Sequence, residues 1–385
     1  MGRSDDADGF GSWFDAPLDG PTWDDVVEGY FLETVDGLLF DVKGVVQPSD
    51  WKVAYVRYVP DPGGDRTRIF PAGASRVLTK YRKIYDLEER RSFLASKFPQ
   101  YLISSQRHPR AFQGVPKDKL ARIFDPRGAA SELLAGKLVK GGPRWLATYL
   151  QDAVDLLRSL SDASGVSAPH LGLTGSALVG LADPHHSDHD LVVYGERACR
   201  RVHHAMKKIV ESNDEARFYD MAELLKHFEF RAAGTPVSFE QFLSYEKLKT
   251  HQGKWRGRDF FVRYVKTPAE VGEGWSERKF VPLARATITA VVADDSERIF
   301  TPCRYGLEDV KFVEWANGKG ENPTPPVDTT ALTLTSFRGR YCEQASVGQA
   351  IRSRGTLEMI VDAPGGDRAY QLVVGGSPGD FFVLE

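Results

Sequence analysis

Cysteine is scarce: the 385 residues contain three, Cys199, Cys303 and Cys342, too far apart to form a CxxC pair. That spacing offers neither a zinc ribbon nor a disulfide framework, and it predicts three buried thiols that pack as small apolar side chains. No apolar run approaches the roughly 20 residues a membrane-crossing helix needs, so no membrane partner is expected. The opening Met-Gly-Arg-Ser-Asp-Asp-Ala-Asp is acidic and lacks the basic-then-apolar order of a secretory leader, which makes the cytoplasm the expected location. Also missing are a GxxxxGK[ST] loop, a GxGxxG after a strand, a GxSxG elbow, the kinase signatures and any internal repeat. These absences set aside the common phosphate loops and the α/β-hydrolase serine nucleophile. A net charge of -3 leaves no overall nucleic-acid footprint, so the distribution of charge matters more than its sum.

The composition that remains, 42% apolar and 27% charged, is that of a soluble globular protein long enough for two or three domains. Its most informative stretch runs from Leu171 to Gly195. A short strand over 169–174 ends at Gly175, Ser176 is placed to cap a short helix through Leu181, and Asp183-Pro184 breaks that helix. A second strand is expected over 188–194. Side chains alternate along a strand, so Asp188 and Asp190 project from one face, while His189, Leu191 and Val193 project from the other. Two carboxylates converging on one point can hold a divalent cation against a triphosphate. Gly175 lets backbone approach a phosphate, and Ser176 offers a hydroxyl and an N–H.

A strand ending in Gly175-Ser176, a gap of about ten residues and Asp188-x-Asp190 opening a second strand resemble the signature of the polymerase-β-like nucleotidyltransferase superfamily. The resemblance covers residues 150–265. More loosely, the whole chain resembles a group of archaeal proteins called predicted nucleotidyltransferases. The superfamily places a third carboxylate on a later strand beside the Asp-x-Asp strand. Asp259, opening the strand-like run 260–265, is the best match; Asp220, Glu229 and Glu240 are the runners-up. What the resemblance implies is Mg²⁺ or Mn²⁺ held by Asp188, Asp190 and Asp259, and a nucleotide seated at Gly175 and Ser176.

Along the chain, the first fifty residues carry twelve acids and two bases, and residues 1–22 are read as a flexible acidic leader. Strand-like runs follow at 30–35, 38–46 and 52–59, with a hairpin signal at Asp36-Gly37. Between Arg66 and Arg91 the chain turns basic and aromatic, with Arg66, Arg68, Arg76, Lys80, Tyr81, Arg82, Lys83 and Tyr85. This is a solvated loop and helix face or, less favoured, a surface that meets phosphates and bases. Helices are expected over 86–97, over 116–136 with a break at 126–128, over 145–160, over 196–212 and over 221–228. Gly141-Gly142-Pro143 marks a domain break. Lys247, Lys249, Lys254, Arg256, Arg258, Arg263 and Lys266 form the strongest basic stretch, opposed only by Asp259; the first five are candidate nucleic-acid contacts. Beyond residue 281 come short strands at 286–292, 299–305, 332–338, 355–361 and 370–374, a small barrel or sandwich. It serves either as an oligonucleotide-binding surface around Ser336–Tyr341 or as a structural cap.

The reading is an α+β protein: leader 1–22, an N-terminal α+β region 23–140, a nucleotidyltransferase α/β domain with a mixed sheet 141–280, and a C-terminal all-β domain 281–385. It is expected to transfer a nucleoside monophosphate from a triphosphate to a hydroxyl of an acceptor, foremost nucleic acid, with release of pyrophosphate. The alternatives are a nucleic-acid-binding protein that keeps the fold without turnover, and transfer to a protein acceptor. His185, His186 and His189 lack the second ligand pair that zinc requires, and His185 and His186 are expected as exposed loop residues.

Overall fold

The computed structural model describes residues 21–72, 75–137, 143–212, 214–231, 237–316, 332–362 and 368–385. Residues 1–20 of the leader and the Gly141-Gly142 break lie outside them. The protein is a mixed α+β chain with three sheets and, among the described residues, eight helices. None of these helices is long and apolar enough to cross a membrane. It divides into two compact units, each discontinuous in sequence. One holds the chain up to Ile103, Phe112–Arg217 and Gln252–Glu270; the other holds Ser104–Ala111, Phe218–His251 and Val271–Glu385.

In order, the elements begin β1 (Phe31–Thr34), β2 (Leu39–Val42), β3 (Trp51–Pro60), β4 (Arg66–Ala72), β5 (Ser75–Lys83), α1 (Leu87–Lys97), β6 (Leu102–Ser105), β7 (His108–Pro116) and β8 (Leu120–Phe124). These strands make an eight-stranded sheet ordered β4-β5-β3-β2-β1-β8, with β7 pairing to β3 and to β6. Two expectations fail here. The basic stretch from Arg66 is a hairpin, not loop and helix face. Residues 116–124 are the end of one strand, a single 3-10 turn and another strand, not helix. Helix begins only at α2 (Pro126–Leu134), where Asp125 accepts a hydrogen bond from the Arg127 N–H and Pro126, which has no N–H to lose, fits the first turn. Pro126 therefore starts this helix; it does not split one.

Next come α3 (Arg144–Ser164), β9 (Leu171–Leu173), α4 (Gly175–Leu178), β10 (His189–Tyr194), α5 (Glu196–Ser212), β11 (Ala216–Arg217), α6 (Met221–Arg231), α7 (Phe239–Glu246), β12 (Gln252–Trp255), β13 (Arg258–Val265) and α8 (Pro268–Val271). A five-stranded mixed sheet forms in the order β11-β12-β13-β10-β9, with β10 parallel to β13 and antiparallel to β9. β10 is buried at Leu191, Val192, Val193 and Tyr194, as expected of a central strand. α3 buries Tyr149, Leu150, Ala153, Val154, Leu156, Leu157 and Leu160, and α5 buries Ala198, Val202, Ala205, Met206 and Ile209, each on one helical stripe. Cys199, Cys303 and Cys342 are all buried free thiols. On the other side of α4, Leu178, Val179 and Leu181 join a core with Phe31, Leu39, Tyr58, Tyr81 and Phe124. The eight-stranded sheet thus packs directly on the turn that follows Gly175-Ser176.

The second unit carries β14 (Arg278–Asp294), β15 (Cys303–Ala316), β16 (Leu332–Ser336), β17 (Ala350–Asp362), β18 (Arg368–Val373) and β19 (Phe381–Leu384). The strand expected at 299–305 starts at Cys303 instead and runs on to Ala316; Pro302, lacking an N–H, cannot donate to the ladder before it. The order β14-β15-β16-β18-β17 closes through pairing of β17 with β14, so the sheet is a barrel; β16 and β18 are its parallel pair.

Candidate functional site

The site forms where β10 and β13 begin side by side. In their parallel register His189 faces Phe260 and Asp190 faces Phe261, which sets Asp188 beside Asp259 at the strand entrances and on the same face. The three acids named from the sequence therefore share one end of one sheet. Gly175, at φ +68, closes the third side: a Cβ built there would lie 2.1 Å from Asp190 Oδ2, so only glycine admits that carboxylate. The N-cap of α4 is Thr174, whose N–H donates to the Asp190 carbonyl and whose hydroxyl donates to Gly29. Ser176 does not cap the helix; its hydroxyl donates to Ser187 Oγ at 3.0 Å.

Asp188 keeps solvent access, yet surrounding protein crowds it enough that burial dominates its acidity. Burial, then the charges of Asp190 and Asp259, push its carboxyl up to about 7 against the pull of Lys83 and Lys254. Burial also raises the Asp190 carboxyl, opposed by Lys83, Arg263 and Arg57. Asp259 Oδ2 accepts from Lys254 Nζ at 2.9 Å, while its Oδ1 is buried with no hydrogen-bond partner. As the side chains stand, no three acid, histidine or cysteine groups among the described residues are gathered tightly enough to enclose a metal.

The rest of the machinery is held from behind. His189 is fully buried and stacks on Tyr149 with ring centroids 4.7 Å apart, and burial drops its imidazole to about 3, so it is neutral and turned away from the acids. Tyr149 donates to the Asp188 carbonyl at 2.8 Å. His185 and His186 are exposed, as expected, with His186 Nδ1 2.9 Å from Asp183.

The candidate nucleic-acid contacts meet mostly protein. Arg256 reaches Asp152, Asp155 and Glu215, and Arg258 donates to the carbonyls of Ser187 and Pro184. Lys254 is held by Asp259. Lys247 and Lys249 belong to the other compact unit, where Lys247 is exposed and Lys249 is buried against Glu246 at 2.9 Å. The runners-up for third acid sit there too: Asp220 accepts from the Glu223 N–H at the start of α6, while Glu229 and Glu240 are exposed on α6 and α7.

Two contributions escaped the sequence reading. Tyr149 carried no motif. Arg57, on β3, acts on Asp190 together with Lys83, yet it lies in an ordinary strand run, and only its place next to Tyr58, the partner of Lys83 in the sheet, would have flagged it.

Over 349 residues the chain is 25% identical to an uncharacterized protein of Methanocaldococcus jannaschii, a match covering 90% of this chain and 94% of that protein. No family model matches the sequence, and no solved structure matches it. The chain is thus similar, along nearly its whole length, to an archaeal protein whose name assigns it no activity.

Proposed function

We propose that this protein is a metal-dependent nucleotidyltransferase of the polymerase-β-like kind. The observation that carries the reading is the meeting of Asp188, Asp190 and Asp259 at the aligned entrances of two parallel strands, with Gly175 pressed against Asp190. The donor set suits Mg²⁺ or Mn²⁺: three hard carboxylates, one with a buried oxygen lacking any partner and one destabilised as an anion by its neighbours. When bound, such an ion supplies neutralisation of phosphate charge and a Lewis acid at the phosphate oxygens. Asp188, Asp190 and Asp259 are the residues that would hold it.

The chain itself is asked to position and to manage charge. The backbone at Gly175 and the N–H of Ser176, in the first turn of α4 where N–H groups lack helical acceptors, receive the triphosphate. The acceptor hydroxyl oxygen bonds to the α-phosphorus, the bond from that phosphorus to the bridging oxygen breaks, and pyrophosphate leaves. The hydroxyl proton passes to a carboxylate, for which Asp259 Oδ1 is the free acceptor. Neutral His189 takes no part in that transfer; it braces the strand.

The barrel of the second unit supports a nucleic-acid acceptor. Its five strands close in the order first-second-third-fifth-fourth with the third and fifth parallel, as in oligonucleotide-binding barrels. By fold analogy it also favours, as the second reading, nucleic-acid binding without turnover. The test is a screen of the purified protein with Mg²⁺ or Mn²⁺ against four labelled triphosphates, with RNA, with DNA and with neither. Label covalently joined to an acceptor supports transfer. Salt-sensitive RNA or DNA binding that ignores metal and nucleotide, with no incorporation, supports the second reading.

A further inference from the structure

The wall opposite the acids is cationic, and its cations are short of partners. Arg66 is only 6% exposed, yet its Nε and Nη1 make no hydrogen bond; the nearest carboxylates, Asp65 and Asp183, stand 3.5 and 3.7 Å away. A buried donor left unmade is costly, so such a group in a native fold asks for an explanation. Lys83 Nζ lies 4.8 Å from the Tyr85 ring centre and 5.8 Å from that of Tyr58, and the Arg57 guanidinium lies 5.4 Å from the Tyr85 ring. Neither Lys83 nor Arg57 has a carboxylate ion-pair partner among the described residues.

The three come from neighbouring strands. Arg66 of β4 is opposite Tyr81 of β5, and Lys83 of β5 is opposite Tyr58 of β3, so they share one region of the N-terminal sheet. That region faces the acids: Lys83 acts on both Asp188 and Asp190, and Arg57 acts on Asp190. It also meets the loop after α4, since Asp183, approached by Arg66, gives its N–H to Ser187 Oγ, the same atom that accepts from Ser176. Two other arginines of the hairpin, Arg68 and Arg82, are already satisfied. Arg68 grips Glu33 with two hydrogen bonds of 3.0 and 3.2 Å, and Arg82 pairs with Glu89.

We propose that Arg57, Arg66 and Lys83 form a diphosphate-binding wall, by which the N-terminal sheet holds the β- and γ-phosphates of the triphosphate and then the leaving pyrophosphate. A diphosphate has the charge to face three cations and the spread of oxygens to fill both empty donors of Arg66, which one carboxylate does not. The role assigned to the phosphates rests on the transferase reading; the anion site itself does not.

Sodium pyrophosphate titrated into the full-length protein by calorimetry, in metal-free buffer, tests the wall. The parent is expected to bind it, Arg66→Gln and Lys83→Gln each to weaken binding about tenfold or more, and Arg82→Gln to leave it unchanged. Asp188→Asn, which removes a like charge, is expected to bind pyrophosphate at least as tightly as the parent while losing transfer. No binding by the parent, or equal binding by Lys83→Gln, overturns the wall. Thermal unfolding shows whether Arg66→Gln folds; Lys83, half-buried, keeps the test standing if it does not. If pyrophosphate binding depends on Arg66 and Lys83 but the parent transfers nothing, the transferase reading falls and the anion site stands. If transfer depends on Asp188 but pyrophosphate binding ignores Lys83, the wall falls and the transferase stands.

Discussion

At the scale of single residues, the site depends on how tightly Gly175 and Asp190 are fitted. An alanine at 175 puts its Cβ within 2.1 Å of Asp190 Oδ2 and forces φ +68 on a residue that resists it. Gly175→Ala is expected to cost about 1–3 kcal/mol of stability, read from urea unfolding, and to displace the Asp190 carboxylate. Unchanged stability would mean that the carboxylate and the turn are not in contact. The acids also give a pH signature. The Asp188 carboxyl, near 3.9 in an unfolded chain, is raised to about 7 in the fold, so between these values the folded state binds the extra proton. Stability in chelator therefore falls as pH rises from about 4 to about 7, then levels off. Asp188→Asn is expected to flatten part of that decline and so to gain on the parent at about pH 8 relative to about pH 5. Parallel pH profiles for the two would contradict the convergence of charge at Asp188.

At the scale of elements, helix α3 braces the site through one contact that the sequence does not advertise. Tyr149→Phe removes the hydrogen bond to the Asp188 carbonyl and is expected to cost about 0.5–1.5 kcal/mol. It should also lower turnover more than it lowers nucleotide affinity; thermal unfolding and steady-state kinetics read the two. Much at this scale was legible. A break at Gly175 and a strand over 188–194 follow from punctuation and alternation, and the structure has the strand over His189–Tyr194; the apolar β-rich run that Asp259 opens does pair with it. The β4–β5 hairpin was missed because its inward positions invert the usual pattern. Arg66 and Arg68 are the buried residues at the start of β4, and arginines at those positions read as a solvated face. Residues 116–124 were missed because Leu120 and Ile123 are spaced as on a helix, while the actual order comes from pairing with β1, a partner some ninety residues upstream in the register Leu32 to Ile123. Pairing at that separation leaves no local trace.

At the scale of the whole molecule, the two compact units interleave along the chain, and this explains why charge read as a linear run misled. The basic stretch 247–266 is cut at residue 252 between the units, and most of its members neutralise local acids or cap backbone carbonyls. The cations left short of partners near the acids lie instead on the N-terminal sheet, far away in sequence. Net charge could not reveal this, because placement against the acids, not number, distinguishes Arg57, Arg66 and Lys83 from their satisfied neighbours. The closed barrel was only half legible: strand composition indicated all-β, but the closure of β14 on β17 depends on register over long strands, beyond what periodicity shows.

The most direct measurement of the central claim is pyrophosphate release from labelled triphosphate, with Mg²⁺ or Mn²⁺ and the acceptor found by the screen, compared between the parent and Asp188→Asn, Asp190→Asn and Asp259→Asn. Loss of about a hundredfold or more in each of the three, with thermal midpoints near that of the parent, is the result expected for a charge-stabilising site. Release by all three variants at the parent's rate would contradict it.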